Sequence, residues 1–214
     1  MSRKLVIAID GPAGAGKSTI AKLLAARLDL RYLDTGAMYR ALALKASRKG
    51  IEGPEAADLM ADTQISFAAG EPQKVLLDGE DVTTAIRTAE IGEAASALSS
   101  HSAVRRGMVK LQQEFVAAGG VVLEGRDTTT VVAPSADLKI YLTASLEERA
   151  KRRTDERGDA AAFERTRSEI EQRDHRDITR DDSPLAVAPD AHVVETATLS
   201  IEEVLAKTLS LLPA

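Results

Sequence analysis

Apolar positions near the start of the chain follow two different periods. Leu5–Ile9 is a continuous apolar run of strand length, and the next segment places Ile20, Leu23, Leu24 and Leu28 at three- and four-residue steps. A short unbroken apolar run is typical of a strand buried on both faces, whereas the longer period is that of a helix packed by one face. The chain therefore opens with a predicted strand followed by a predicted helix.

The same alternation continues to the end of the chain. Further predicted strands are Arg31–Leu33, Gly120–Leu123, Leu138–Thr143 and His192–Val194. Strands that alternate with helices favour an α/β fold, in which a parallel sheet is covered by helices on both faces. In such sheets ligands bind beyond the carboxyl ends of the strands.

Two helix starts can be predicted from their capping residues. A helix through Met38, Tyr39 and Leu42 is expected to begin with Thr35 as its cap. The last helix follows Ser200, which forms a capping box with Glu203, and it is expected to run from Ile201 to about Leu212.

Two segments break this pattern. Between about residues 64 and 84, Ile65–Phe67 and Val75–Leu77 resemble short strands joined by Gly70-Glu71-Pro72, which predicts a small β insertion. The polar stretch from Thr154 to Ala162 contains Gly158 and several alanines, and we expect a mobile segment there between two arginine-bearing helices.

The first chemical signal is the run Gly11-Pro12-Ala13-Gly14-Ala15-Gly16-Lys17-Ser18-Thr19 between the first strand and helix. This glycine spacing lets backbone N–H groups wrap a polyphosphate, and the positive end of the following helix dipole points at the same place. Lys17 can reach the outer phosphates, and the Ser18 hydroxyl suits a magnesium ion. The alternative is a tightly packed glycine turn that binds nothing.

The composition of the chain excludes several classes of protein. A chain of 214 residues with 44% hydrophobic content can bury one core, and no apolar run approaches the length of a membrane span. The net charge of −5 argues against a nucleic-acid or membrane-coating role. Cysteine is absent, which excludes disulfides and thiolate chemistry, and we expect a cytoplasmic location.

Arginine supplies the second chemical signal. Arg126 and Asp127 end the motif Glu124-Gly125-Arg126-Asp127, which suits binding of a phosphate and a base or ribose; the alternative is a self-contained salt bridge at a turn. Helical spacing places Arg173, Asp177 and Arg180 on one face, where the alternative is a solvated charge ladder. A third group, Arg149, Arg152 and Arg153, belongs to one predicted helix and could equally be an exposed basic face.

At this point the residues resemble a known family, the bacterial cytidylate kinases, which are a branch of the nucleoside monophosphate kinases. The resemblance spans nearly the whole chain and rests on five motifs. They are Asp10–Thr19, Leu33–Arg40, Leu77–Val82 with Ile86-Arg87-Thr88, Glu124–Asp127, and Arg173–Arg180 with Ser183-Pro184-Leu185.

The resemblance implies a single kinase domain with a P-loop parallel sheet. Residues 1–34, 118–150 and 174–214 would form the core, residues 35–117 would bind the nucleoside monophosphate and carry the small β-sheet, and residues 151–173 would form a short lid. Since nothing in the sequence demands an interface, we expect a monomer.

The resemblance also implies a reaction and a set of site residues. ATP would phosphorylate CMP or dCMP, with Mg²⁺ held by Ser18 and ATP held by Gly11–Thr19. The acceptor nucleotide would be held by Thr35, Arg40, Arg105, Arg126, Asp127, Asp177 and Arg180. The catalytic cations near the transferring phosphate would be Lys17, Arg126, Arg173, Arg149 and Arg153.

One position departs from the family pattern. The family usually has an apolar residue, Gly and Thr after its Arg-Asp pair, whereas this chain has Thr128-Thr129-Thr130. A β-branched residue is less permissive than glycine. We therefore expect Thr129→Gly to leave activity equal or higher.

Two other functions remain open from the sequence. The acceptor could be another small molecule such as UMP or shikimate, which a panel of substrates would separate. The chain could also be a nucleotide-gated switch, whose ATP hydrolysis would not respond to an added monophosphate.

Overall fold

The computed structural model describes residues 4–70 and 72–213. The α-helices are α1 Lys17–Leu28, α2 Thr35–Lys49, α3 Ala89–Leu98, α4 Ser102–Ala117, α5 Leu146–Arg157, α6 Phe163–Thr179 and α7 Ile201–Ser210. The strands are β1 Val6–Asp10, β2 Arg31–Asp34, β3 Ile65–Ala68, β4 Lys74–Leu77, β5 Glu80–Asp81, β6 Val121–Glu124, β7 Leu138–Thr143 and β8 His192–Glu195.

The central sheet has five strands in the order β2-β6-β1-β7-β8. Strand β1 pairs in parallel with both β6 and β7, and β7 pairs in parallel with β8. The register opposes Ile9 to Glu124, so the carboxyl ends of β1 and β6 lie side by side. The predicted α/β fold with a parallel sheet flanked by helices is therefore confirmed.

The core of this sheet is built from the residues whose apolar pattern predicted it. Ile7 and Ile9 of β1, Ile140 and Leu142 of β7 and Leu24 of α1 are all fully buried in one cluster. Because parallel strands are covered on both faces, their apolar runs are unbroken. This core fixes the strand ends from which the loops of the site start.

The chain divides into two compact units, Met1–Leu33 with Gln113–Ala214, and Asp34–Gln112. The first unit holds the central sheet. In the second unit α2 packs against α3, and a separate antiparallel sheet has the order β3-β4-β5. This sheet confirms the predicted β insertion, although Glu71 of its predicted connection lies outside the described residues.

Several element boundaries differ from the predictions. Helix α2 is capped by Asp34, whose side chain accepts a hydrogen bond from the amide of Ala37, so the prediction of Thr35 as cap was wrong. Strand β6 begins at Val121 because Gly120 has a φ of 63°, a left-handed conformation that a strand does not contain. Helix α7 has the predicted capping box and ends at Ser210.

Strand β5 was not predicted, because two residues are too few to show a period. Within the described part of the chain, no helix combines the length and the apolar character that crossing a bilayer requires.

Candidate active site

The glycine run forms a tight loop between β1 and α1, and the surrounding backbone requires two of its glycines. Gly11 has a φ of 147°, and a Cβ there would lie 2.0 Å from the carbonyl oxygen of Leu142. Gly14 has a φ of 79°, and a Cβ there would lie 3.0 Å from the Arg149 Cβ and 3.1 Å from its carbonyl oxygen. A side chain at Gly11 would collide with fixed backbone, and one at Gly14 would be both crowded and strained by its positive φ, so the loop depends on glycine for its shape.

The loop ends at α1, whose N-cap is Gly16. Glycine has no side chain with which to cap the first turn, so the amides at this helix end are left for an anion. The geometry is that of a phosphate-binding loop.

The Lys17 ammonium group lies inside this loop and is buried. Its Nζ donates a hydrogen bond to the carbonyl oxygen of Pro12 at 2.7 Å. The pKa of Lys17 is lowered to about 7, mainly by burial; the positive charges of Arg126 and Arg173 also lower it, and Glu124 and Asp10 oppose them. Cations from the loop, from the turn after β6 and from α6 thus converge on one place, which favours binding of an anion there.

Ser18 and Glu124 provide oxygen ligands beside the loop. The Ser18 hydroxyl donates a hydrogen bond to Glu124 Oε1, and the same oxygen accepts a hydrogen bond from the Tyr32 hydroxyl at 2.9 Å. A hydroxyl and a carboxylate oxygen are the donors that Mg²⁺ prefers. The residues present therefore fit a magnesium ion next to bound phosphates.

The two arginine motifs of the sequence meet at one carboxylate. Arg126 Nε donates to Asp177 Oδ2 at 2.9 Å, and Arg180 Nη1 donates to Asp177 Oδ1 at 3.1 Å. All three side chains are largely buried. Arg126 is thus not confined to a salt bridge with Asp127, and Asp177 is not part of a solvated ladder.

The charge state of Asp177 follows from these contacts. Burial alone would raise its pKa, but Arg126, Arg173 and Arg180 together hold the pKa of Asp177 below its ordinary value. Asp177 is therefore ionised at neutral pH, and it orients two guanidinium groups. Asp127, which follows Arg126 in the chain, is buried at the start of the turn after β6.

Arg149 and Arg153 lie on the same helix but in different environments. Arg149 is buried, and its guanidinium donates to the carbonyl oxygens of Ala144 and Ala13 and to Asp174 Oδ2. Arg153 is about half exposed and pairs with Glu156 at 3.4 Å. In this state Arg149 holds the phosphate loop, while Arg153 lies on the surface of α5.

Asp174 completes the contact between helices α5 and α6 and the phosphate loop. Its Oδ1 accepts a hydrogen bond from the amide of Ala13 at 3.0 Å, while its other oxygen binds Arg149. Both backbone groups of Ala13 are therefore held by one buried ion pair from α5 and α6.

The second unit contains its own cluster of charges. Asp34 Oδ2 accepts hydrogen bonds from Arg40 at 2.9 Å and from Arg87 at 3.2 Å. Burial would raise the pKa of Asp34, but the two arginines hold it below its ordinary value. The Arg40 guanidinium passes over Gly36, where a Cβ would lie 3.3 Å from Nη1. Arg40 Nε is buried and has no hydrogen-bond partner among the described residues.

Thr35 and Arg105 are also in this unit. Thr35 is buried in the first turn of α2. Arg105 of α4 is 1% exposed, lies 5.6 Å from the centre of the Tyr39 ring and donates to the carbonyl oxygen of Ser99. A guanidinium over an aromatic face is attracted by the electron-rich ring.

Some residues of these clusters were not singled out as site residues from the sequence. Glu124 and Arg87 both lie inside recognised motifs. The position of Glu124 at a strand end and that of Arg87 beside a helix cap could have identified them as site residues. Asp174 also lies inside a recognised motif, but its role could not be read from the sequence because it depends on the distant Ala13. Ser96 of α3 has a buried hydroxyl without a partner in the described part of the chain, and only the fold reveals it.

Comparison with known proteins agrees with this geometry. A family model described as "Cytidylate kinase" matches residues 7–214. The chain is 46% identical to the cytidylate kinase of Listeria welshimeri, over 99% of this chain and 97% of the relative. It is 49% identical to the cytidylate kinase of Caldicellulosiruptor saccharolyticus, over 98% and 96% respectively.

Among solved structures, a gluconokinase from Sinorhizobium meliloti 1021 superposes with a TM-score of 0.53 and 13% identity, covering 98% of this chain and 92% of that one. At this identity the likeness concerns the fold.

Proposed function

Because the chain belongs to the cytidylate kinase family and is a phosphotransferase, we propose that it transfers the γ-phosphoryl group of ATP to CMP or dCMP, giving ADP and CDP or dCDP. The observation that carries this proposal is that Arg126 and Arg173 bring positive charge near Lys17, a buried side chain of the phosphate loop whose pKa is lowered first by burial and then by these arginines. Positive charge gathered beside a phosphate loop favours binding of an anion there.

Gly11–Thr19 binds the triphosphate of ATP in this proposal. Backbone amides at the start of α1 contact the phosphates, and Lys17 turns from Pro12 toward the outer ones. Ser18 and Glu124 would hold Mg²⁺, which supplies charge neutralisation on the phosphates.

The acceptor nucleotide binds the residues that the family resemblance assigned to it. Arg40, Arg105 and Arg126 are proposed to bind its phosphate, and the buried, unpartnered Nε of Arg40 supports this role. Thr35, Asp127, Asp177 and Arg180 are proposed to bind the base and sugar. Asp177 also keeps Arg126 oriented.

The chemical step needs little from the protein beyond position and charge. The acceptor phosphate is already anionic at neutral pH, so its oxygen attacks in line without a general base. Arg126 and Arg173 neutralise charge on the transferring group, and Arg153 is proposed to join them when residues 151–173 close as a lid. Arg149 acts on the phosphate loop in the structure, and its predicted contact with the transferring phosphate would require it to leave Ala13.

Steady-state kinetics with CMP, dCMP, UMP and AMP, read by coupled ADP detection, test the proposal. We expect rapid turnover with CMP and dCMP and slow ATP hydrolysis without an acceptor. A faster rate with UMP, or hydrolysis that no monophosphate accelerates, would contradict it and favour another acceptor or a switch.

Substitution of Lys17 tests the proposed ATP site. Lys17→Ala should lower kcat by about a thousandfold or more, because the loop loses its charge on the outer phosphates. Lys207→Ala, an exposed position on α7, is the matched control and should behave like the wild type. Substantial activity of Lys17→Ala would refute the role.

A cytoplasmic location and a monomeric state remain predictions.

A further inference from the structure

The carboxylate of Asp10 is the most completely enclosed acidic group next to the phosphate loop. Asp10 ends β1, directly before Gly11, and is 0% exposed. Its Oδ1 accepts hydrogen bonds from the amide of Thr128 at 2.9 Å and from the Thr128 hydroxyl at 2.7 Å. Its Oδ2 accepts hydrogen bonds from the amide of Thr129 at 2.7 Å and from the Thr129 hydroxyl at 2.6 Å.

Half of these donors come from side chains in which this chain departs from the usual family pattern. Glycine or an apolar residue at 128 and 129 would still present the two amides but neither hydroxyl. Both threonines are buried, so no solvent could replace a missing hydroxyl. The hydroxyls therefore complete the coordination of a carboxylate that is cut off from water.

The backbone accepts threonine at these positions without strain. Thr128–Val132 forms a π-helical turn, closed by bonds from Val132 to Asp127 and from Ala133 to Thr128. Among the described residues, positive φ angles outside glycine occur at Asp29, Asp78 and Ser183, so Thr129 does not need the freedom of glycine. The expectation that Thr129→Gly leaves activity equal or higher rested on that need, and the hydrogen bond from the Thr129 hydroxyl to Asp10 replaces it with an expected loss. Turns of this type are frequent at functional sites.

The turn connects two parts of the site within the first unit. It directly follows Arg126 and Asp127, and Asp10 directly precedes the phosphate loop. One further bond, from the amide of Gly125 to the carbonyl oxygen of Ile9, joins the same two strand ends at 2.9 Å. The four hydrogen bonds to Asp10 therefore fix the position of the turn after Arg126 relative to the end of β1, where the phosphate loop begins.

We infer that Thr128 and Thr129 are positioning residues for phosphoryl transfer, because their hydroxyls hold the Asp10 carboxylate and thereby fix the turn of Arg126 and Asp127 against the start of the phosphate loop. This inference rests on the proposed function. It assigns the two threonines no contact with substrate. Their contribution is to keep the acceptor-binding turn at a fixed distance from the ATP-binding loop.

The ionisation of Asp10 supplies a way to observe this role. Burial raises the pKa of Asp10, and the hydrogen bonds from Thr129 and Thr128 oppose that rise. Lys17 on α1 and Tyr141 on β7 are titratable groups that interact electrostatically with Asp10. Loss of a hydroxyl should raise the pKa further, and a protonated Asp10 surrounded by donors would have to push the turn away.

The experiment compares Thr129→Val, which removes only the hydroxyl from a side chain of the same shape, with Thr129→Ser, which keeps it. In Thr129→Val the acid limb of kcat/KM for CMP should move up by about half a pH unit or more. At about pH 6 its kcat should fall roughly threefold, with a smaller loss at about pH 8. Thr129→Ser should restore the wild-type profile.

Carbon NMR of the Asp10 carboxyl group gives a readout that is independent of turnover. The pKa read from this signal should be higher in Thr129→Val, by about the same amount as the acid limb of the kinetic profile moves. In Thr129→Ser it should equal the wild-type value. Thr128→Val, which acts on the other oxygen, should shift it in the same direction and serves as the second variant should Thr129→Val fold poorly.

Two outcomes would overturn the inference. One is a loss in Thr129→Val that is equal at all pH values or not rescued by serine, since that indicates packing alone. The other is an unchanged Asp10 titration in both valine variants. Failure of the wild-type protein to phosphorylate CMP would instead contradict the proposed function, and the NMR titration separates the two cases.

Discussion

Lys17 meets an environment that disfavours an ammonium group. It is buried, its hydrogen bond goes to the Pro12 carbonyl, and Arg126 and Arg173 add positive charge nearby. These causes bring its pKa to about 7, so in the free protein the group is partly neutral at physiological pH. A bound phosphate would raise the pKa of Lys17 and so restore the positive charge of its ammonium group.

The first prediction is that ATP binding takes up a proton at Lys17. Uptake should be small at about pH 6, near half a proton at about pH 7 and larger at about pH 8, so ATP affinity should weaken as pH rises above the free pKa. Calorimetry in buffers of different ionisation enthalpy measures it. Lys17→Arg remains charged throughout and is the control for protons released by ATP itself; equal uptake in both proteins would contradict the prediction.

The same shift predicts how stability depends on pH. An unfolded Lys17 titrates near 10.5 and the folded one near 7, so the unfolded state binds more protons between these values. The contribution of Lys17 to the free energy of unfolding should therefore rise with pH across this window. Urea unfolding of Lys17→Met, compared with the wild type at several pH values, should show a smaller rise; an identical slope would count against the lowered pKa.

The third prediction concerns Asp177, which orients Arg126 and Arg180. Asp177→Asn keeps the shape but removes the charge that both guanidinium groups share. The KM for CMP should rise about tenfold or more, whereas the KM for ATP should change less than about twofold. Asp58→Asn, at an exposed position of the second unit, is the control. An equal rise in both KM values would indicate a general loss of structure.

At the scale of elements, α5 and α6 together hold the phosphate loop. They pack on each other, and each contributes one member of the buried pair Arg149 and Asp174. This pair holds the amide and the carbonyl of Ala13 in the middle of the phosphate loop. The conformation of the loop is thus tied to two helices that follow it by more than a hundred residues in the chain.

The fourth prediction is a coupling between these two side chains. Arg149→Met and Asp174→Asn should each lower the free energy of unfolding by roughly 3 kcal/mol, because each leaves a buried partner uncompensated. The double variant should lose clearly less than the sum, and the KM for ATP should rise in all three. Glu164→Gln, at an exposed position of α6, should change stability by less than about 0.5 kcal/mol. Additive losses would show that the pair does not act as a unit.

Element prediction succeeded where the pattern was long and failed where it was short or local. The apolar run of β7 predicted its bounds, and the Ser200 capping box predicted the start of α7. The cap of α2 was misassigned because Asp34 and Thr35 are both good caps, and only the backbone decides which side chain reaches Ala37.

At the scale of the whole molecule, the two units divide the proposed site residues between them. The phosphate loop, Arg126, Asp177 and Arg173 belong to the first unit, whereas Thr35, Arg40 and Arg105 belong to the second. The predicted boundaries of core, monophosphate-binding region and lid remain proposals about what each part does.

The fifth prediction concerns the proposed lid. Helix α5 ends at Gly158, which has a φ of 66° and open space around it, and a single turn at Ala160–Ala162 leads into α6. Amides from Thr154 to Ala162 should exchange quickly in the free protein and more slowly with ATP and CMP bound. β7, a central strand, should exchange slowly in both states. Uniformly slow exchange across the segment in the free protein would count against a mobile lid.

The sequence by itself determined the features that depend on neighbouring residues. Glycine spacing specifies the phosphate loop because Gly11, Gly14 and Gly16 adopt positive φ angles that other residues disfavour. The apolar period specifies strands and helices because it reports which face is buried. The motifs around Arg126 and Asp177 also identified the family without a structure.

Only the tertiary structure decided which charged groups meet. Arg126 pairs with Asp177, 51 residues away. Arg149 binds Ala13, 136 residues away, and Thr129 binds Asp10 across 119 residues. Guanidinium groups, hydroxyls and carboxylates bind any suitable partner within reach, so their pairing follows from how distant elements pack and leaves no period in the sequence.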